Sequence, residues 1–348
     1  MSFSVRAERV LIRSANWVGD VVMSLPAIRA IRAQFPHAEL VVLAKPWVAD
    51  LYRHNPEIDE IMLYDRDGKH AGIAGLMRLC AELRARRFDV GVSIQNAFEA
   101  ALILWLSRIP VRIGYAADGR SLLLTHRVIR TPSIRQLHQV DYYLKLLEGV
   151  GIPPCGRDIR LVLSEAERRW AKEQLVQWGV PEGGLRCGIN PGAAFGTAKR
   201  WPPDRWIALC KRLLAEGIGA VFVFGSPSET DLGQSIAAAA GDGCISLCGK
   251  TDLRQAMALI SECNLLVTND SGLMHVAAGL DVPLVAIFGP TRHDQTSPVS
   301  AKARLIRVPV ACGPCMKPHC PTDHRCMTAI TVEHVWREAM ALLQGARP

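Results

Sequence analysis

Long hydrophobic runs are missing from this 348-residue chain, and the longest apolar block, Ala97 to Leu106, already contains Glu99 and soon meets Arg108. It falls well short of the ~20 residues that a membrane-spanning helix needs. Near the amino terminus only Val10-Leu11-Ile12 is apolar before Arg13, too little for the core of a signal peptide, so a cytoplasmic protein is expected. Aromatic residues make up 6% of the chain and do not interleave with the basic ones, and no recognised nucleic-acid module accompanies them. Nucleic acid is therefore not an expected partner. No His-x-x-x-His or other strong catalytic-metal pattern occurs. The charged fraction is low, 21% against 49% hydrophobic, which argues against disorder, a collagen-like repeat or a coiled coil.

Cysteine is plentiful. There are 11, but the number is odd, the chain is long and no export signal is seen, so reduced thiols are expected rather than a disulfide framework. Lys and Arg outnumber Asp and Glu by 41 to 33, a formal +8, which favours an acidic partner such as a phosphorylated ligand or an anionic membrane surface. The length implies two domains, because one core rarely grows past about 250 to 300 residues.

Short β-rich runs alternate with helical patterns throughout, the mark of parallel α/β architecture. Strands are predicted at Val10 to Arg13, Glu39 to Ala44, Glu60 to Leu63, Asp89 to Ile94 and Val111 to Ile113. After a turn-rich linker around Gly149 to Gly156 they resume at Cys187 to Asn190, Ala220 to Phe224, Cys244 to Leu247, Leu265 to Thr268 and Leu284 to Phe288. The expected fold is two Rossmann-like, doubly wound parallel-sheet domains facing a central cleft, over 1–155 and 156–330. A closing helix in 331–348 is expected to pack back towards the first domain. Such sheets bind ligands outside the carboxyl ends of their strands.

Four loops lie at such ends. In Asn16-Trp17-Val18-Gly19-Asp20, Gly19 permits close approach and Asp20 sits in a first helical turn, as a cap or as a carboxylate facing the cleft. In Thr268-Asn269-Asp270-Ser271-Gly272-Leu273-Met274-His275, the N–H groups of a helix start, the Ser271 hydroxyl and His275 one turn later suit a phosphate. The Asn190-Pro191-Gly192 loop carries Lys199, placed to neutralise charge building on a diphosphate leaving group. In Phe224-Gly225-Ser226-Pro227-Ser228-Glu229, Glu229 is positioned either for ribose hydroxyls or as helix-start charge.

Three other patterns mislead or compete. Gly243 to Thr251 imitates a phosphate-binding P-loop, but five residues rather than four separate Gly243 from Gly249. Asp65-Arg66-Asp67 has the form of a metal-holding carboxylate pair, yet a solvated turn explains it. Cys312, Cys315, Cys320 and Cys326 are spaced like a structural zinc site, with unliganded thiols as the alternative. Arginines at 108, 112, 120, 127, 130 and 135 would draw an anionic acceptor to the first half.

In their order, Trp17-Val18-Gly19-Asp20, Asn190-Pro191-Gly192-Ala193 continuing to Lys199-Arg200-Trp201-Pro202, Phe224-Gly225-Ser226, and Asn269-Asp270-Ser271-Gly272-Leu273-Met274-His275 give the chain its resemblance. It resembles the ADP-heptose:lipopolysaccharide heptosyltransferases of glycosyltransferase family nine. Trp17 and Asn269 are similar to the second rather than the first of these transferases. The resemblance implies a GT-B fold, with a lipid-A-linked inner-core acceptor bound by the first half and ADP-heptose by the second. It also implies metal-independent inversion with no required cofactor. Asp20 would be the general base, with Lys199 and His275 serving the departing ADP. Gly192, Ser226, Glu229, Asp270, Ser271 and Gly272 would line the donor site, and Trp17, Gly19, Arg112 and Arg120 the acceptor site. Loose attachment to the cytoplasmic leaflet is implied by a lipid-borne acceptor. A different sugar-nucleotide transferase or epimerase is the competing enzyme reading, and a basic nucleotide-binding or zinc-stabilised interaction protein the non-enzyme one.

Overall fold

The computed structural model describes residues 3–345. The chain divides into two compact units, one up to Leu161 and one from Val162. The boundary falls a few residues beyond the expected linker, because 156–161 stays with the first unit.

The first unit holds β1 (Arg9–Arg13), β2 (Glu39–Ala44), β3 (Glu60–Leu63), β4 (Val90–Ser93), β5 (Val111–Ala116) and β6 (His126–Ile129). The second holds β7 (Arg186–Asn190), β8 (Ala220–Val223), β9 (Cys244–Ser246), β10 (Leu265–Asn269), β11 (Leu284–Phe288) and β12 (Ala303–Arg307). All pairings are parallel. The orders are β3-β2-β1-β4-β5-β6 and β12-β11-β10-β7-β8-β9. In its own sequence order each unit therefore reads 3-2-1-4-5-6, the doubly wound arrangement expected. Its direction reverses between β1 and β4, and between β7 and β10, and ligands favour such switch points.

The central strands form as they do because helices cover both faces of a parallel sheet, so unbroken apolar runs such as Leu284–Phe288 are wholly buried. β6 and β12 were not predicted. Each is an edge strand, His-Arg-Val-Ile and Ala-Arg-Leu-Ile-Arg, with one buried residue apiece and no apolar run to reveal it. One core of the first unit joins Leu11, Val41 and Leu43 to Leu79, Leu83, Ile103 and Leu104. The second gathers Ile189, Trp201, Trp206, Val267 and Ile287. The closing helix Val332–Gly345 adds Val335, Ala339 and Leu343 to that second core. Its apolar stripe recurs at helical spacing and is used up against the nearest sheet. Among the described residues no helix is long and apolar enough to cross a membrane.

Candidate active site

At the switch point of the first unit, β1 ends at Arg13 and the chain passes through extended Trp17 into the helix Val18–Gln34. The intervening loop is held from below by Arg13. This side chain is buried, which pulls its guanidinium down to about 10, still charged at neutral pH. It donates to Ser14 O at 2.6 Å and Asn16 Oδ1 at 3.0 Å. Asp20 stands in the first turn of a helix that lacks a side-chain cap, where the helix dipole favours a carboxylate.

Asp20 opens onto a cavity of about 330 Å³. Ala15 and Trp17 from the β1 loop, Gln95 and Asn96 from the loop after β4, and Arg130, Arg135, Tyr142 and Tyr143 complete its wall. Tyr143 arrives on the helix Gln139–Glu148, which packs along Val18–Gln34. Burial, reinforced by the Asp20 charge, pushes the Tyr143 phenol well above its ordinary value. It therefore keeps its proton and donates it to the Asp20 carboxylate. The Trp17 indole is 65% exposed at the rim, and Trp47 Nε1 braces its neighbour by donating to Asn16 O at 2.8 Å.

The two arginines expected at the acceptor site are placed differently. Arg120 is buried, donates to Ala117 O at 3.0 Å and Asn96 Oδ1 at 3.3 Å, and so supports a cavity-wall residue from behind. Arg112 lies near the amino end of β5, opposite to the strand ends that carry the cavity. Its guanidinium is spent on the carbonyls of Leu123 and Ile109. The arginines that do reach the cavity are Arg130 and Arg135, both within the basic stretch read from the sequence but not separable there from their neighbours.

At the switch point of the second unit two asparagines join the loops. Asn190, ending β7, donates to Phe224 O at 3.0 Å and accepts from Ser271 Oγ at 2.7 Å and Thr268 Oγ1 at 3.3 Å. Asn269, ending β10, donates to Pro191 O at 2.7 Å and accepts from Trp201 N at 3.2 Å. Lys199 is thereby carried to Asp270, with Nζ 2.7 Å from Oδ2, and Thr291 Oγ1 donates to the same oxygen at 2.7 Å. Beside this pair the helix Gly272–Gly279 begins after extended Ser271 with no side-chain cap, and His275 is buried one turn along. Uncapped N–H groups at a helix start suit an anion.

Glu229 performs the helix-start task. Its Oε2 accepts from Ser226 N at 2.8 Å and Ser226 Oγ at 2.9 Å, closing a capping box, while Oε1 lies 3.8 Å from Arg200. Gly192 is required for this fit, since a Cβ there would stand 1.8 Å from Glu229 Oε1.

The four cysteines expected to hold zinc line one cavity of about 150 Å³ together with His324. They do not form a metal site: among the described residues no group of three or more His, Cys, Asp or Glu could hold an ion. The thiols range in burial from exposed Cys312 to buried Cys326, and His324 Nε2 is engaged with Ala198 O at 2.7 Å. The segment instead supports the lysine loop, for Ala198 N donates to Pro318 O at 3.0 Å and Thr197 Oγ1 bonds His319 Nδ1 at 3.0 Å.

Residues 76–325 match the family model described as Glycosyltransferase family 9 (heptosyltransferase). The chain belongs to glycosyltransferase family 9. It is 34% identical to Lipopolysaccharide heptosyltransferase 2 of Escherichia coli (strain K12) over 96% of this chain and 98% of that one. Among solved structures, that of E. coli ADP-heptose lps heptosyltransferase II superposes with a TM-score of 0.83 at 33% identity, covering 97% of this chain and 99% of that chain. The family 9 glycosyl transferase of Veillonella parvula DSM 2008 superposes with a TM-score of 0.91 at 24% identity, covering 99% and 100%. In this family 9 glycosyltransferase, Asp20, Lys199, Asp270 and Ser271 had been singled out from the sequence, Asn190 opened one of the four loops and Arg130 stood in the basic stretch, whereas Thr291 and Tyr143 had carried no signal. These come from separate segments, and only the strand order assembles them.

Proposed function

We propose that this enzyme transfers L-glycero-D-manno-heptose from ADP-heptose to the heptosylated, lipid-A-linked inner core of lipopolysaccharide, inverting the anomeric carbon by a single displacement. The observation that carries the reading is the pairing of chemistries at two matching strand-end sites. One offers a carboxylate in a polar cavity, and the other a lysine beside an uncapped helix start. Asp20 removes the proton from the acceptor hydroxyl as that oxygen attacks the anomeric carbon, a task that needs a base within hydrogen-bond reach. The bond to the ADP phosphate breaks as the new glycosidic bond forms. Tyr143, donating to Asp20, fixes the orientation of the carboxylate.

Charge developing on ADP is met by Lys199, which exchanges part of its contact with Asp270 for a phosphate oxygen, by the N–H groups from Ser271 and Gly272, and by His275 from within the same helix. Glu229, whose Oε1 carries only the long Arg200 contact, meets the ribose, and Ser226 shares that loop. The chain's own cations thus neutralise the leaving group, and no metal or other cofactor is assigned a step. Arg130 and Arg135, with Trp17 and Gly19 at the rim, receive the anionic acceptor. A lipid-borne acceptor places the protein at the cytoplasmic face of the inner membrane.

The test is turnover with ADP-heptose and heptosylated core acceptor, alongside other nucleotide sugars. Wild type should yield the β-linked or α-linked product opposite in configuration to the donor, and Asp20→Ala should lose about 10²- to 10⁴-fold in kcat with ADP affinity intact. Failure of wild type to transfer heptose while binding ADP, or undiminished turnover in Asp20→Ala, overturns the reading.

A further inference from the structure

Two helices on one face of the first sheet present apolar side chains outward as well as inward. Gly72–Ala85 and Phe98–Leu106 both contribute to the core over β1 and β2, through Leu79 and Leu83 and through Ile103 and Leu104. Cys80 Sγ meets Ile103 O at 4.0 Å, and Arg84 Nη2 donates to Leu106 O at 2.6 Å. Residue numbers rise together at these contacts, so the helices lie side by side and parallel. Met77 then falls level with the start of the second helix.

The outward faces are unusually apolar. On the first helix Ile73 and Met77, four residues apart, are 83% and 45% exposed. On the second, Phe98 and Trp105, two turns apart on one stripe, are each 48% exposed. Leu122, 89% exposed, follows Gly119, whose Cβ position is 3.9 Å from the Phe98 ring. A monomer scatters such residues singly, whereas adjoining ones mark a surface that is covered in use.

Charge identifies what covers it. Between residues 69 and 108 there are six cations, Lys69, Arg78, Arg84, Arg86, Arg87 and Arg108, against three acids, Glu82, Asp89 and Glu99, a net +3. Lys69 pairs with Glu82 at 2.8 Å and Arg86 with Glu60, and Glu99 accepts from the Tyr64 hydroxyl at 2.9 Å with Arg66 3.7 Å away; among the described residues Arg78, Arg84, Arg87 and Arg108 form no ion pair. Aromatic and aliphatic side chains on helices that also carry Arg78 and Arg84, and that are followed by Arg87 and Arg108, complement an anionic lipid surface: the rings enter the headgroup boundary and the cations meet lipid phosphates. We infer that this face of the first unit docks on an anionic bilayer. The inference builds on the lipid-borne acceptor proposed above and names the surface that meets the membrane.

The whole protein would be sedimented with vesicles of phosphatidylglycerol and phosphatidylcholine, and with vesicles of phosphatidylcholine alone. Binding should require the anionic lipid, weaken as salt is raised, and fall about tenfold or more in Phe98→Ser/Trp105→Ser. Brominated lipid should quench wild-type fluorescence more than that of Trp105→Phe. Both variants should keep wild-type turnover on a delipidated, water-soluble acceptor, which shows that they fold and separates this inference from the proposed reaction. No turnover by any form would remove the proposed function while leaving the vesicle result to stand. Equal vesicle binding by wild type and the double variant, binding indifferent to lipid charge, or a concentration-dependent dimer abolished by the double variant in place of vesicle binding would each overturn the docking surface.

Discussion

The two units share one strand order, yet their switch points have been filled in opposite ways. In the first, Asp20 borders a cavity to which amides, phenols and arginines contribute, and its charge is steadied by one phenol on a neighbouring helix. In the second, Lys199 and Thr291 are bonded to Asp270, Ser271 to Asn190, and Asn269 to the Pro191 carbonyl. Topology accounts for the location of each site, because strand ends diverge where the winding reverses. It does not account for the contents. An open, polar cavity suits a large and variable acceptor, while a pre-bonded cluster suits a diphosphate that must be met by fixed dipoles without reorganisation.

That contrast can be broken from either side. Asp20→Ala should abolish most turnover and spare ADP binding, whereas Lys199→Ala should cost about 10²- to 10³-fold in kcat and also weaken ADP, with acceptor binding retained. Isothermal titration with ADP beside steady-state kinetics would separate the two. Equal loss of ADP affinity in both variants would contradict the division of labour.

Gly196→Ala tests how rigidly the second site is built. Its φ of +146° and a Cβ position 2.2 Å from Pro318 O leave no room for a side chain. We expect a stability loss of about 2 kcal/mol and weaker ADP binding as the lysine loop lifts, checked by thermal melts with and without ADP.

Acid titration should expose a support peculiar to the second unit. Arg254, buried, donates to both Glu167 oxygens at 2.6 Å, and chiefly through these bonds the carboxyl is held down to about 2. Because the folded value is depressed, this stabilisation is complete above the unfolded value near 4.5 and is lost as pH falls towards 2. Glu167→Gln should cost about 2 kcal/mol at neutral pH and little at pH 2, measured by denaturant unfolding.

The smallest expected effect belongs to the first site. Tyr143→Phe removes a donor to the ionised form of Asp20, so the acid limb of the kcat/KM profile should move to higher pH. An unmoved limb would mean that the phenol has no electrostatic influence on the base.

Much of this architecture was legible in the chain. β2, β3 and β11 fall where their β-rich segments placed them, because parallel strands buried on both faces leave apolar runs and turn residues bound them. β6 and β12 were hidden, since an edge strand buries one side chain and reads as a charged loop. Local motifs likewise exposed Asp20, Lys199 and the Asp270-Ser271-Gly272 turn, each at a strand-to-helix junction that nearby residues specify.

What one-dimensional reasoning could not reach were partners brought in from afar. Tyr143 lies in an ordinary amphipathic helix and gains its meaning only by packing on the helix that bears Asp20. Arg112 and Arg130 look alike in sequence, but one lies near the amino end of β5 and the other lines the cavity. The cysteines were spaced as for zinc and line one cavity, yet among the described residues they form no metal-holding group, and the segment that carries them supports the lysine loop. The sequence by itself determined the elements, their parallel winding and the two strand-end motifs, because hydrophobic period and turn chemistry act over a few residues. Only the tertiary structure decided which distant side chains face those motifs, because burial and hydrogen bonding depend on what the fold places within a few ångströms.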